Sequence, residues 1–293
     1  MRRGERRRAL VSRWTSLTGW RLHARVSTLP VPADAPVVVL VHGLLVSSRY
    51  MVPTAERLAP YCRVHAPDLP GYGKSTKPAH VLTVPELADS LAGYVQANEL
   101  GRVTLLGNSF GCQIAADCAA RYPALVERLV LVGPTTDPRQ RSLKQVATWL
   151  AIVPLEPLSL FLVVARDLLD VGPRRTLLLF QHMLQDRIED KLPGIAAPTL
   201  VVRGSRDTTV PQDWAETVTR LLPRARLVVV PDRPHTLNYD APDALERIVR
   251  PFLLASRQSF TDGAAPGNNP LRRPPAGIAL APFSGGELAP RHR

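Results

Sequence analysis

Gly107-Asn108-Ser109-Phe110-Gly111 sets a serine between two glycines, directly after the strand-like run 103–106 and directly before the apolar, helix-like stretch 112–120. A serine on so sharp a strand-to-helix turn is lifted clear of a sheet, where its oxygen can attack a carbonyl carbon. Glycine suits positions 107 and 111 because side chains there would collide with neighbouring backbone in a tight turn. The hydroxyl still needs a base to take its proton, and the base needs a third group to hold its tautomer. His235, in Pro231-Asp232-Arg233-Pro234-His235-Thr236, follows the apolar run 227–230. Asp207, in Arg203-Gly204-Ser205-Arg206-Asp207, follows another strand-like run, 199–202. Both lie at carboxyl ends of expected strands, the edge at which open α/β sheets hold their ligands. A competing acid is Asp137, which follows the strand-like run 129–132.

Those residues need elements to carry them. Val37–Val41 is a continuous β-branched run, as in a strand buried on both faces. Thr83-Val84-Pro85-Glu86 has the form of a capping box with proline in the first turn, opening a helix that ends near Ala97. Strands also fall at 14–26 (a hairpin turning at Thr18-Gly19) and at 62–66, and helices at 51–58, 211–221 and 243–255. Asp240 is expected to cap the last helix, with Pro242 in its first turn. Strands alternating with helices imply a mainly parallel sheet covered on both faces.

Four motifs in order resemble the α/β-hydrolase superfamily, in its lidded, single-domain serine branch. They are the serine pentapeptide, Val41-His42-Gly43-Leu44, Asp68-Leu69-Pro70-Gly71-Tyr72-Gly73-Lys74-Ser75, and His235 with Asp240-Ala241-Pro242. The order Ser, Asp, His is the one such proteins use. The resemblance implies an α/β-hydrolase fold: a mostly parallel eight-stranded sheet, helices on both faces, and a helical lid after strand 6. It implies Ser109 as nucleophile, His235 as base and Asp207 as its orienting acid. The backbone N–H groups of Leu44 and Phe110 would form the oxyanion hole, and His42 would fix that loop. The expected division is a basic tail over 1–13, a core over 14–137 and 194–257, a lid over 138–193, and a Pro/Gly-rich tail over 258–293. In the lid, two helices would meet at a Pro154–Pro157 turn, with Leu150, Ile152, Leu160, Phe161 and Val164 as an apolar ceiling over Ser109.

The implied activity is hydrolysis of a carboxylic ester of an apolar small molecule. Gly-Asn-Ser at 107–109 also resembles the elbow of meta-cleavage-product hydrolases, which split a C–C bond. Their glycine-rich oxyanion loop is replaced here by Gly43-Leu44-Leu45-Val46, and the Trp after their histidine by Thr236. Acyl transfer and perhydrolysis use the same three groups. A binding module on this fold is the non-enzymatic alternative.

Composition narrows the partners. With 293 residues and 45% hydrophobic content, the chain can bury one sizeable core. The net charge of +12 is concentrated at the ends: +5 in residues 1–13 and +3 in 257–293, leaving +4 between them. No helix or aromatic platform for reading bases accompanies these tails, so nucleic acid is not expected as a partner. Gly71–Thr76 lacks the first glycine of a phosphate loop, since Asp68 stands there. Three cysteines, Cys62, Cys112 and Cys118, without metal-ligand spacing read as buried thiols, so neither metal nor cofactor is expected. The apolar run after the N-terminal arginines is too short for a signal peptide, and Pro154, Glu156 and Pro157 interrupt the longest apolar stretch. No transmembrane segment is expected, and the expected location is cytoplasmic.

Overall fold

The structure, a computed structural model, describes residues 9–142 and 158–255. Residues 37–41 (β3), 63–67 (β4), 103–108 (β5), 126–132 (β6), 199–204 (β7) and 225–230 (β8) join 10–17 (β1) and 20–27 (β2) in one eight-stranded sheet, ordered β1-β2-β4-β3-β5-β6-β7-β8. From β4 to β8 every neighbouring pair is parallel, whereas β2 runs antiparallel to both β1 and β4. Strands β3, β5 and β7 are buried at every position, which is why apolar residues fill them without alternation, with Thr104, Asn108, Thr199 and Arg203 as the buried polar exceptions.

Alternate side chains of these strands feed two separate cores. Val37, Val39, Val41, Leu105, Leu129, Leu131 and Val201 pack on one face with helices α2 (Val84–Ala97) and α3 (Phe110–Arg121). Val38, Leu40, Leu106, Val130, Val132, Leu200 and Val202 pack on the other with α1 (Val52–Leu58) and the last helix, Pro242–Leu254. The period of two along each strand thus sorts one apolar run into two layers. The chain is an α/β-hydrolase fold.

Local signals act where they stand. The Thr83 N–H donates to the Glu86 carboxylate at 2.8 Å and opens α2, with Pro85 in its first turn. Gly19 takes φ +82° in the β1–β2 turn. Two expectations need correction. Strand β1 begins at Leu10, pairing with Ser27, so residues 10–13 belong to the sheet rather than to a basic tail. Asp240 does not cap the last helix: it ends a short helix, Leu237–Asp240, where its carboxylate accepts from the Thr236 hydroxyl, and Ala241 takes the cap.

Between β6 and β7 the alternation stops. Helices α4 (Leu158–Val171), α5 (Pro173–Gln185) and α6 (Ile188–Lys191) occupy this stretch, followed after β7 by α7 (Gln212–Leu221). The Arg49 guanidinium pairs with Asp167 and Asp170 of α4, and the Gln113 side chain donates to the Met183 carbonyl of α5 at 3.0 Å. The expected Pro154–Pro157 turn, with Leu150 and Ile152, lies outside the described residues, as do 1–8 and 256–293.

Candidate active site

Ser109 stands between β5 and α3 with φ +55° and ψ −120°, a conformation that costs a non-glycine residue on the order of 1–3 kcal/mol. The surrounding packing leaves no alternative. A Cβ on Gly107 would sit 2.5 Å from the Gly111 carbonyl oxygen, and one on Gly111 would strike the carbonyls of Val41 and His42. The Ser109 N–H is tied to the Val132 carbonyl at 3.0 Å. Phe110 opens α3, so its N–H belongs to the first turn, whose donors have no acceptor within the helix.

Asp207 and His235 come from the ends of β7 and β8. The Asp207 carboxylate is almost fully enclosed, and its Oδ1 accepts from the N–H groups of Thr209 and Val210 at 2.8 and 2.9 Å. Its Oδ2 lies 2.8 Å from His235 Nδ1. A carboxylate accepts, so the neutral imidazole carries its proton on Nδ1, and Nε2 is the nitrogen that bears the lone pair. Gly204, closing β7, lets the Arg233–Pro234 backbone pass, since a Cβ there would meet the Arg233 carbonyl. Gly133, after β6, does the same for the ring: its Cβ would stand 2.9 Å from His235 Cε1 and Nδ1. Sequence reasoning passed over Gly133. Asp137, the competing acid, is bound instead by the Arg139 guanidinium at 2.6 Å and by the Arg139 N–H at 2.9 Å.

On the opposite side of Ser109 lies the loop after β3. A Cβ on Gly43 would come within 3.5 Å of the Ser109 Cβ, so this backbone runs against the serine turn. His42 holds the loop from beneath. Its Nε2 accepts from the Leu69 N–H at 3.1 Å, which places its proton on Nδ1, donating to the Gly43 carbonyl at 2.9 Å. Burial pushes the His42 pKa down, keeping the ring neutral. Leu69 is in turn positioned by its neighbour Asp68. Burial opposes the charge on Asp68, but hydrogen bonds from His23, from the Lys74 N–H and from Ser48 outweigh it and hold the carboxylate below its usual range. The glycine-containing loop 68–75 is therefore wrapped around its own aspartate, and a Cβ on Gly73 would overlap that carboxylate.

Ser109 and His235 both line one cavity of about 290 Å³. Leu44, Leu45 and Val46 form one wall; Leu160 and Val164 of α4 with Phe180 and Met183 of α5 form the roof. Of the expected ceiling residues, Leu160 and Val164 reach the cavity, but Phe161 faces outward and is 41% exposed. Phe180 and Met183 went unforeseen. All three cysteines are buried; burial raises the thiol pKa of Cys62 and of Cys118 to about 12 and carries Cys112 higher still. Among the described residues no group of three His, Cys, Asp or Glu side chains is arranged to hold a metal, and no helix is long and apolar enough to cross a membrane.

Residues 38–248, the span from β3 into the last helix, match the alpha/beta hydrolase family. The chain belongs to that family. An Agrobacterium fabrum protein, provisionally named carbamate hydrolase RutD, is 28% identical over 255 residues, covering 78% of this chain and 96% of its own. The poly(3-hydroxyalkanoate) depolymerase of Ectopseudomonas oleovorans is 26% identical over 256 residues, 80% of this chain and 90% of its own. Among solved structures, the enol-lactonase of Burkholderia xenovorans superposes with a TM-score of 0.69 at 22% identity, covering 83% of this chain and all of that one (100%). At that identity the likeness speaks for the fold alone. It is a hydrolase of the α/β fold.

Proposed function

We propose that the chain hydrolyses a carboxylic ester of an apolar small molecule through an acyl-enzyme on Ser109. The observation that carries this reading is the 2.8 Å bond from His235 Nδ1 to Asp207, on an imidazole that shares one cavity with a serine held at positive φ. In this reading Nε2 of His235 takes the Ser109 proton as Oγ attacks the ester carbonyl. Asp207 stabilises the imidazolium that forms. The N–H groups of Leu44 and Phe110 receive the oxyanion, each worth roughly 100- to 1000-fold in rate. His235 then passes its proton to the departing alkoxide. Water, deprotonated by the same nitrogen, attacks the acyl-enzyme; acid leaves and Ser109 recovers its proton.

The substrate class follows from the walls. A cavity of about 290 Å³ roofed by Leu160, Val164, Phe180 and Met183 favours an apolar acyl group of modest size. Helices α4 and α5, within the 138–193 insertion, serve as the lid in this account. The name of one relative, poly(3-hydroxyalkanoate) depolymerase, is compatible with ester chemistry. A series of p-nitrophenyl esters of increasing acyl length tests the proposal. Wild type should turn over the shorter members and lose the longer ones, and Ser109→Ala should lower kcat by roughly a millionfold. Equal turnover by the two proteins would remove Ser109 from the reaction.

A further inference from the structure

Arg203 is the fifth residue of β7, a strand whose every residue is buried. It is 7% exposed, and among the described residues no carboxylate pairs with its guanidinium. A buried cation without an ion pair is expensive, and a well-packed apolar side chain at such a position is often neutral or stabilising. Its contacts all converge on one object. Nε donates to the Val210 carbonyl at 2.6 Å, Nη2 to the Asp207 carbonyl at 2.9 Å, and Nη1 to the Gln212 side-chain oxygen at 3.3 Å. The first two acceptors belong to the irregular turn that leads from β7 to α7 and carries Asp207, and the third is on the first residue of α7.

The turn closes on itself through the same peptides. The Val210 N–H holds Asp207 Oδ1 at 2.9 Å, and the carbonyl of that same residue is held by Arg203. Asp207 is thus gripped twice: its carboxylate by Thr209 and Val210 N–H groups, its carbonyl by the guanidinium. From these contacts we infer that Arg203 is a positioning residue for the Asp207–His235 pair. Its planar fork fixes the acid-bearing turn so that Oδ2 meets Nδ1 of the imidazole. Lysine cannot replace it, since a single ammonium lacks donors spread along two edges of a plane. This role rests on the proposed ester hydrolysis only for its kinetic consequence; the hydrogen bond it sets is there whatever bond is cleaved.

Arg203→Lys tests the inference, with Arg128→Lys as the matched control. Arg128 is also a buried arginine whose guanidinium binds main-chain carbonyls, those of Leu253 and Ala255; unlike Arg203 it meets a carboxylate as well, that of Glu127, and it lies near the amino end of β6, away from the cavity. The readouts are kcat and KM on a short p-nitrophenyl ester, thermal stability, and the far-downfield proton resonance of the His235 Nδ1–H bond to Asp207. In Arg203→Lys we expect kcat to fall about 10- to 100-fold, the range that follows a misplacement of up to 1 Å. KM should stay within about twofold of wild type by the same argument, and the downfield resonance should shift or broaden. Arg128→Lys should lose stability while keeping kcat and resonance. A folded Arg203→Lys protein with wild-type kcat and an unshifted resonance overturns the inference. Should that variant not fold, Gln212→Ala withdraws one support of the guanidinium; a several-fold lower kcat is expected, and an unchanged one overturns the role. If wild type and Ser109→Ala are equally active, the ester reading fails, yet the resonance still decides the role of Arg203.

Discussion

Replacing Gly133 by alanine adds one methyl group at the point where three distant parts of the chain meet. Its carbon would lie 2.9 Å from Cε1 and Nδ1 of His235 and 3.3 Å from Oδ2 of Asp207. Carbon atoms pack comfortably at about 3.5–4.0 Å, so the ring must retreat by roughly 0.6–1.1 Å. It cannot retreat freely. Nδ1 is bonded to a carboxylate that is itself fixed by two backbone donors, so the movement stretches that bond or turns Nε2 away from Ser109. Misplacement by about 1 Å costs catalysis on the order of 100-fold, so kcat should fall between about 10- and 100-fold with little change in KM. A second, separate cost comes from the backbone, because Gly133 has φ +57° and a left-handed L-residue costs roughly 1–2 kcal/mol of stability. Gly101 separates the two effects. It has φ +69° but nothing within 4 Å of its absent Cβ, so Gly101→Ala should lose similar stability and keep full kcat. Urea unfolding and steady-state ester hydrolysis on both variants provide the comparison. If Gly133→Ala keeps kcat within about twofold of wild type, the crowding argument is wrong.

Two further outcomes follow from the same contacts. Asp207→Asn should lower kcat by roughly 10,000-fold, whereas Asp137→Asn, whose carboxylate binds Arg139 and not the imidazole, should change kcat little; steady-state rates for the pair decide the acid, and the reverse order would reassign it. Burial, assisted by the charge of Arg63, pushes the His65 pKa down to about 4, so the folded ring stays neutral while the unfolded one titrates near 6.5. Its contribution is therefore complete above about pH 6.5 and is lost as pH falls toward about 4, at roughly 1.4 kcal/mol per pH unit. Urea midpoints between these limits should fall more steeply for wild type than for His65→Gln, and parallel curves would contradict the assignment.

The parts of the fold legible in the sequence are those whose physics is local. The serine turn declares itself because Gly107 answers to Gly111, four residues on; Gly111 itself answers to the Val41 and His42 carbonyls, which only the folded sheet brings against it. Strand β3 is legible because burial on both faces demands an uninterrupted apolar run, and α2 because its cap lies within four residues. Gly133 was not legible. Its need for a missing side chain is created by His235 and Asp207, which reach it only in the folded sheet. Arg203 hid for the same reason: on paper it is a charged residue near the end of a strand, and only the turn folding back over it, with the start of α7, supplies its three acceptors. In the inserted helices, the sequence offers apolar side chains without saying which of them meet the cavity. Leu160 and Val164 line the cavity, Phe161 points out, and the second half of the roof comes from Phe180 and Met183. Leu10–Arg13 read as part of a tail because arginines crowd that end, yet backbone pairing with β2 is indifferent to that charge.

The central claim is a covalent bond between substrate acyl group and Ser109, and mass spectrometry of acid-quenched turnover reaches it directly. Wild-type protein mixed with a p-nitrophenyl ester and quenched within the first turnover should carry one acyl group, localised by peptide mapping to the segment containing Ser109. Asp207→Asn should accumulate that adduct more slowly and Ser109→Ala not at all. Ester turnover without an adduct on Ser109, or with the acyl group on another residue, would contradict the account.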